Sequence, residues 1–168
     1  MTETLDEARF RGIFSHLGAV TAYAARRGSR DPDGVAAEVM TIAWRRLPVV
    51  PADDPLPWLY GTARNVVYAE ARSRRRSAPD EVPSTSPAPE VRSLDPELDR
   101  ALRALRPSDR EALLLVAWED LTAAQAADTL GISATAFRVR LFRARRRLRA
   151  ALTEAEPVPL AQLDVEGT

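Results

Sequence analysis

The chain has 168 residues, room for one ordinary domain or two small ones, and its 45% hydrophobic content is enough to build packed cores. Charged residues make up 29% at a formal net charge of zero, so total charge argues neither for nor against a polyanionic partner. With no cysteine, disulfides, thiolate metal sites and cysteine nucleophiles are excluded.

No apolar run approaches the ~18 residues that cross a bilayer. The acidic, polar start carries no signal-peptide pattern, so a cytoplasmic location is expected. Charge is segregated along the chain: residues 133–152 hold seven arginines and no acid, whereas residues 153–168 hold four acids and no base. All 24 basic residues are Arg. That suits bidentate contacts to phosphate and guanine, but a chain rich in Ala, Arg and Pro equally reflects genomic base composition, which is the weightier reading.

In chain order, Thr4 and Glu7 form a capping box. Behind it Phe10, Ile13, Phe14, Leu17, Val20 and Ala24 recur at helical spacing, predicting one helix to about Gly28. Asp31-Pro32 reads as an N-cap followed by proline at the first helical position, opening a helix to about Leu47. Val35, Val39 and Ile42 line one side of it, Met40, Trp44 and Leu47 another, leaving Glu38, Thr41 and Arg45 as a narrow polar face. Such a helix is deeply buried or presents one side to a partner. Pro48–Asp54 is a loop, and Asp54-Pro55 repeats the cap signature for a third helix to about Arg75. Its core face is Leu59, Ala63 and Val66. Arg64, Tyr68, Arg72 and Arg75 fall on one basic stripe with an aromatic in it.

Residues 77–94 contain four prolines and no glycine, the composition of a semi-extended linker. In polyproline geometry it reaches roughly 50 Å, or about 15 base pairs of duplex, so two separate contacts on one DNA are possible. Asp95-Pro96 caps the next helix, whose face is Leu98, Ala101, Leu102 and Leu105. Pro107-Ser108 with Glu111 reads as a capping box for a helix through Trp118, and Thr122 with Gln125 as another for a short helix to Leu130. A tight turn at Gly131-Ile132 leads into a last helix capped by Ser133. The fold class is therefore all-α, two small helical domains joined by a Pro-rich linker, the second containing a helix–turn–helix. The expected division is 1–76, linker 77–94, 95–152, and an acidic tail 153–168 read as disordered.

On a 100° wheel of the last helix, Phe137, Leu141, Ala144 and Leu148 form its core side. Arg138, Val139, Phe142, Arg143, Arg145, Arg146 and Arg149 lie opposite. The plain alternative is a solvated face, but without interleaved acids such a face repels itself, so a DNA groove is the better reading. Arg138 and Val139 are placed for base edges, and Phe142 for a thymine methyl or a sugar edge. Arg143, Arg145, Arg146 and Arg147 suit phosphates, Arg140 is a further DNA contact, and Ser133 and Thr135 stand at the helix start. Trp44, Trp58 and Tyr60 are more ordinary as core. Beside the stripe, Trp58 and Tyr68 could instead stack on unpaired bases and Asn65 could meet a base edge. No phosphate loop, metal-spaced cluster or catalytic constellation is present, so no enzyme, cofactor or metal is expected.

These residues are where the chain resembles a family. FRGIFSHLGAVTAYAARRG, GVAAEVMTIAWRRL and PLPWLYGTARNVVYAEARSRRR look like the first conserved domain of the extracytoplasmic-function sigma factors, initiation subunits of bacterial RNA polymerase. The stretch LDRALRALRPSDREALLLVAWEDLTAAQAADTLGISATAFRVRLFRARRRL looks like their second domain, and together the two cover roughly residues 7–152. The resemblance implies that the helix carrying Asp33, Ala37, Glu38 and Thr41 faces core RNA polymerase. It implies that Trp58, Arg64, Asn65, Tyr68, Arg72 and Arg75 read and open the −10 element, capturing an unpaired base. It also implies that the last helix enters the major groove of the −35 element, and that an anti-sigma factor is a further partner. Gly34 and Ala37 stand where the family usually has an acid and a Gln, and Val139 where it often has a small polar residue. Two other functions fit parts of the pattern: a helix–turn–helix regulator binding duplex without polymerase, and an interaction protein that sequesters polymerase or a regulator.

Overall fold

The computed structural model describes residues 4–77 and 95–153, which form eight α-helices and one 3₁₀ turn, with no strand among them. The helices are α1 (Leu5–Phe14), α2 (Leu17–Arg26), α3 (Pro32–Arg45), α4 (Leu56–Ser77), α5 (Pro96–Ala104), α6 (Pro107–Ala117), α7 (Ala123–Leu130) and α8 (Ala134–Thr153), and the 3₁₀ turn is Leu47–Val49. The all-helical expectation holds. The linker from residue 78 to 94 and the acidic tail from 154 lie outside the described residues.

Most of the caps read from sequence form. Thr4 N–H donates to Glu7 Oε2 at 2.8 Å while Glu7 N–H donates to Thr4 Oγ1 at 3.2 Å, closing the box at the start of α1. Asp31 accepts from Gly34 N–H at 2.9 Å. Glycine suits this spot: a Cβ on residue 34 would sit 2.1 Å from the Asp31 carboxylate that caps the helix. Thr122 and Gln125 close the box on α7.

Four local expectations are corrected. The predicted first helix is two, because the Ser15 hydroxyl donates to the Gly12 carbonyl at 2.6 Å and ends α1. The break lets Phe10 meet Trp44 edge-on at 5.0 Å while Val20 and Tyr23 of α2 turn into the core. On α4 the buried line is Leu59, Ala63 and Val67 at i, i+4, i+8, so Val67 and not Val66 continues the core face. Asp54 does not cap α4: the Pro55 carbonyl accepts its first helical bond, from Leu59, and Asp54 binds Gln125 instead. Ser108 and Glu111 form no capping box. Arg106 is the N-cap, Pro107 opens α6, and the Glu111 carboxylate turns toward the first half of the chain.

Helices α2, α3 and α4 pack on one another with α1 against α3, and α8 packs against α5, α6 and α7 through Phe137, Leu141 and Ala144. Arg110 closes the end of α5, donating to the carbonyls of Leu102, Arg103 and Leu105. The two halves also touch each other directly, α4 on α7. Gly61 makes that approach possible: a Cβ there would lie 3.1 Å from the Thr129 carbonyl oxygen. Thr129 Oγ1 donates to the Pro57 carbonyl at 3.2 Å, and the buried residues of both halves join in one connected cluster. The separation of about 50 Å that the linker permits is therefore not the arrangement adopted here.

Candidate nucleic-acid interface

The turn before α8 is built from backbone sterics. Gly131 takes φ +65°, a left-handed conformation that costs glycine nothing. Ile132 N–H then bonds the Ala127 carbonyl and Gly131 N–H the Asp128 carbonyl, satisfying the end of α7. Ser133 caps α8, its hydroxyl accepting from Ala136 N–H at 3.1 Å.

Phe137 and Ala144 are wholly buried and Leu141 nearly so, which fixes the rotation of the helix. Its outer face then exposes Thr135, Arg138, Val139, Phe142, Arg143, Arg145, Arg146 and Arg149, with Arg140 half-buried beside them. Phe142 is 67% exposed, although burial of a phenylalanine is worth about 1.5–3 kcal/mol. Among the described residues no acid pairs with Arg138, Arg140, Arg143, Arg145, Arg146 or Arg149. Arg147 differs. Its Nη1 donates to Asp109 of α6, a buried carboxylate, so it anchors the helix to its own half and is not free for a phosphate.

The stripe on α4 divides. Arg64 donates to Glu111 of α6 from Nε at 2.7 Å and from Nη2 at 3.2 Å, and its guanidinium lies 4.5 Å from the Tyr68 ring centroid. Burial by itself would lower the Arg64 pKa, but the hydrogen bond and charge of Glu111 outweigh it and hold it above the ordinary value. Asn65 and Arg72 remain exposed, Tyr68 and Trp58 are half-buried, and the Arg75 side chain lies outside the described residues. Trp58, Arg64 and Asn65 line a cleft of about 750 Å³ with Glu38, Arg45 and Arg46, closed on the far side by Asp128–Gly131 of the other half.

The residues expected to face polymerase also part company. Asp33, Ala37 and Thr41 line an apolar groove of about 430 Å³ with Phe10, Phe14 and Trp44, whereas Glu38 faces the cleft between the halves. Trp44 is half-exposed and Tyr60 buried, stacked on Tyr23 at 4.5 Å.

Periodicity did not reveal the ion cluster between the halves. Arg26 of α2 grips Glu119 with two hydrogen bonds, the one from Nε measuring 3.1 Å. Arg27 lies over the Tyr23 ring at 3.7 Å, between Glu119 at 3.7 Å and Glu111 at 3.9 Å. Burial, followed by the charge of Glu119, pushes the Tyr60 pKa up to about 12. One sequence signal existed: Glu111 shares a helix face with the buried Leu114 and Leu115, where a lone carboxylate must find a partner.

Residues 96–148 match the family model described as sigma-70, region 4. A probable RNA polymerase sigma factor, RfaY of Xanthomonas campestris pv. campestris, is 34% identical over 148 residues, an alignment covering 79% of this chain and 37% of that protein. The chain thus spans little more than a third of the length of that relative. The fold is shared with a chain of the co-crystal structure of the sigma factor RpoE with the anti-sigma factor NepR from Bartonella quintana, at TM-score 0.62 and 24% identity, covering 88% of this chain and 97% of that one. It is shared too with the PhyRSL–NepR complex from Sphingomonas sp. Fr1, at TM-score 0.61 and 21% identity, covering 90% and 94%. Region 4 of the sigma-70 family is thus matched over α5–α8, and the fold is shared with these solved chains along nearly the whole length.

Proposed function

We propose that this protein is a promoter-specific initiation factor that tethers core RNA polymerase to two DNA elements and traps melted DNA at one of them. The observation that supports it most is the outer face of α8, where five arginines and Phe142 stand exposed, with Arg140 half-buried beside them, and no acid among the described residues compensates them. As a recognition helix it would place Arg138 and Val139 against base edges of the −35 element and Phe142 against a thymine methyl or sugar. Arg140, Arg143, Arg145 and Arg146 would take phosphates, with Ser133 and Thr135 at the helix start. Along α4, Trp58, Asn65, Tyr68, Arg72 and Arg75, joined by Arg64 once Glu111 releases it, would hold the −10 strand by stacking and charge. On α3, Asp33, Ala37, Glu38 and Thr41 would meet polymerase. The protein acts by binding, with no covalent chemistry of its own, in the cytoplasm, and an anti-sigma factor is part of the proposal because related folds were solved in complex with such proteins.

A second reading has one observation behind it. The face meant for unpaired DNA is partly covered while α8 stays open, as suits a regulator that binds only duplex. The decisive experiment adds the purified protein to core polymerase with a randomised promoter library and sequences the run-off transcripts. A factor yields transcripts sharing two spaced elements. Duplex binding with no transcript from any promoter selects the regulator.

A further inference from the structure

The contact between the halves is chemically unlike the packing inside either one. Beside the packing of α4 on α7 it holds a cluster of three guanidinium groups on the first half, Arg26, Arg27 and Arg64, facing two carboxylates on the second, Glu111 and Glu119. Both carboxylates are buried, and Glu119 is delivered by a turn that requires Asp120 at φ +53°, a left-handed conformation that aspartate tolerates better than most residues. Gln125 Nε2 donates to Asp54 at 2.7 Å at the rim.

The cluster is incompletely satisfied. Arg27 is 97% buried, since its relative exposure is 3%, yet its Nε and Nη2 have no hydrogen-bond partner, because both carboxylates stand beyond hydrogen-bond reach. Buried ion pairs gain little over desolvation unless every donor is met, and a buried donor left unmet carries its full desolvation cost. Such a contact is poised to come apart when a better anion is offered. The phosphodiesters of a strand would be better, offering a row of anions whose paired non-bridging oxygens guanidinium forks match.

We infer that Arg26, Arg27 and Arg64 form a binding site for the phosphodiester backbone of a single DNA strand, and that Glu111 and Glu119 occupy it as internal stand-ins until the halves separate. The inference deepens the proposed function, resting on it only in taking nucleic acid as the ligand. Arg64 belongs to the α4 stripe, whereas Arg26 and Arg27 extend the site onto α2, along the stacked pair Tyr23 and Tyr60. The closed form hides the α4 cleft under Asp128–Gly131 and holds α7, the helix that would cross the duplex backbone, against α4. Both DNA contacts are thereby restrained by one latch.

The test uses the full chain, in which the absence of native cysteine allows Gly18→Cys and Ala104→Cys, both at exposed positions, to carry a donor and acceptor dye. In Glu111→Gln/Glu119→Gln the dyes should move apart, and a fluorescent single-stranded oligodeoxynucleotide should bind about tenfold more tightly if the closed form outweighs the open by that factor. The gain should vanish on adding Arg27→Gln, and with a methylphosphonate oligonucleotide of the same bases. Gly61→Leu is the second route to opening, wedging α4 from the Thr129 backbone while leaving every charge in place, and should also tighten strand binding. Unchanged dye separation in both opened variants overturns the latch. Separation without tighter binding, or a gain that survives on the uncharged backbone, overturns the phosphate site. Run-off transcription with core polymerase is read separately: shifts in distance and affinity without transcripts would leave the latch standing and remove the initiation-factor reading.

Discussion

Helices α4 and α8 both carry arginines at helical spacing, yet Arg64 on α4 ends against Glu111 while six arginines on α8 meet no carboxylate among the described residues. The difference lies in what packs on each helix. Helix α8 is held from one side by α5, α6 and α7, so its opposite face stays open. Helix α4 is held by α2 and α3 on one side and met by α7 on another, and α6 brings Glu111 with it. Even on α8 the rule holds residue by residue: Arg147, the arginine that leans toward α6, is the one that meets Asp109. A basic stripe is therefore a property of one helix, but its availability belongs to the neighbours.

The largest expected effect breaks the platform that presents the open face. Phe137 is wholly buried between α8 and its half, and Phe137→Ala should cost about 3–5 kcal/mol in urea unfolding, enough to abolish duplex binding as well. If the chain kept both stability and binding, α8 would not be docked through that side.

The closed face should announce itself in alkali. Tyr60 is buried and its pKa is raised to about 12 from an ordinary value near 10. Its unfolded state therefore deprotonates first, and stability present below pH 10 should fall between about pH 10 and 12, by roughly 2–3 kcal/mol. Tyr60→Phe should flatten that decline in melts taken across the range, and an unchanged slope would place the raised group elsewhere.

Comparing two arginines on one helix sharpens the contrast further. Arg147→Ala should destabilise by about 1–2 kcal/mol, because it strands the buried Asp109, with the figure reduced by the exposure of Arg147 itself. Arg143→Ala should leave stability within about 0.5 kcal/mol and reduce the salt slope of duplex binding by about one. A stability loss at Arg143, or a sequence-selective loss of binding, would move it out of the phosphate group. The smallest effect is expected at Phe142→Ala, which should weaken duplex affinity by about 1 kcal/mol at positions where it meets thymine, without shifting the melting temperature.

Much of the architecture was legible before any coordinates. Thr4 with Glu7, Asp31-Pro32, Asp95-Pro96, Thr122 with Gln125 and Gly131 mark helix ends by local hydrogen bonding and backbone sterics, which depend only on residues within a few positions. The core face of α8 followed from spacing, since a helix that buries Phe137 must also bury Leu141 and Ala144. Where local rules competed, sequence misled. Ser108 with Glu111 has the spelling of a capping box, and Asp54-Pro55 the spelling of a cap, but each carboxylate found a partner in the other half of the chain. The break at Ser15 was a third case, decided by one hydroxyl donating back to Gly12 in a stretch whose apolar spacing runs on unbroken.

By itself the sequence determined most of the helix ends, the buried side of α8 and the charge on it, because each is set by interactions within a turn or two of the chain. Tertiary structure alone decided which charges remain available. Arg26, Arg27 and Arg64 are as basic as any arginine of α8, but Glu111 and Glu119, 47 to 93 positions away along the hydrogen-bonded pairs, are brought onto them by packing. Electrostatic pairing acts through a few ångströms of space and is blind to sequence separation, so no periodicity could have carried it.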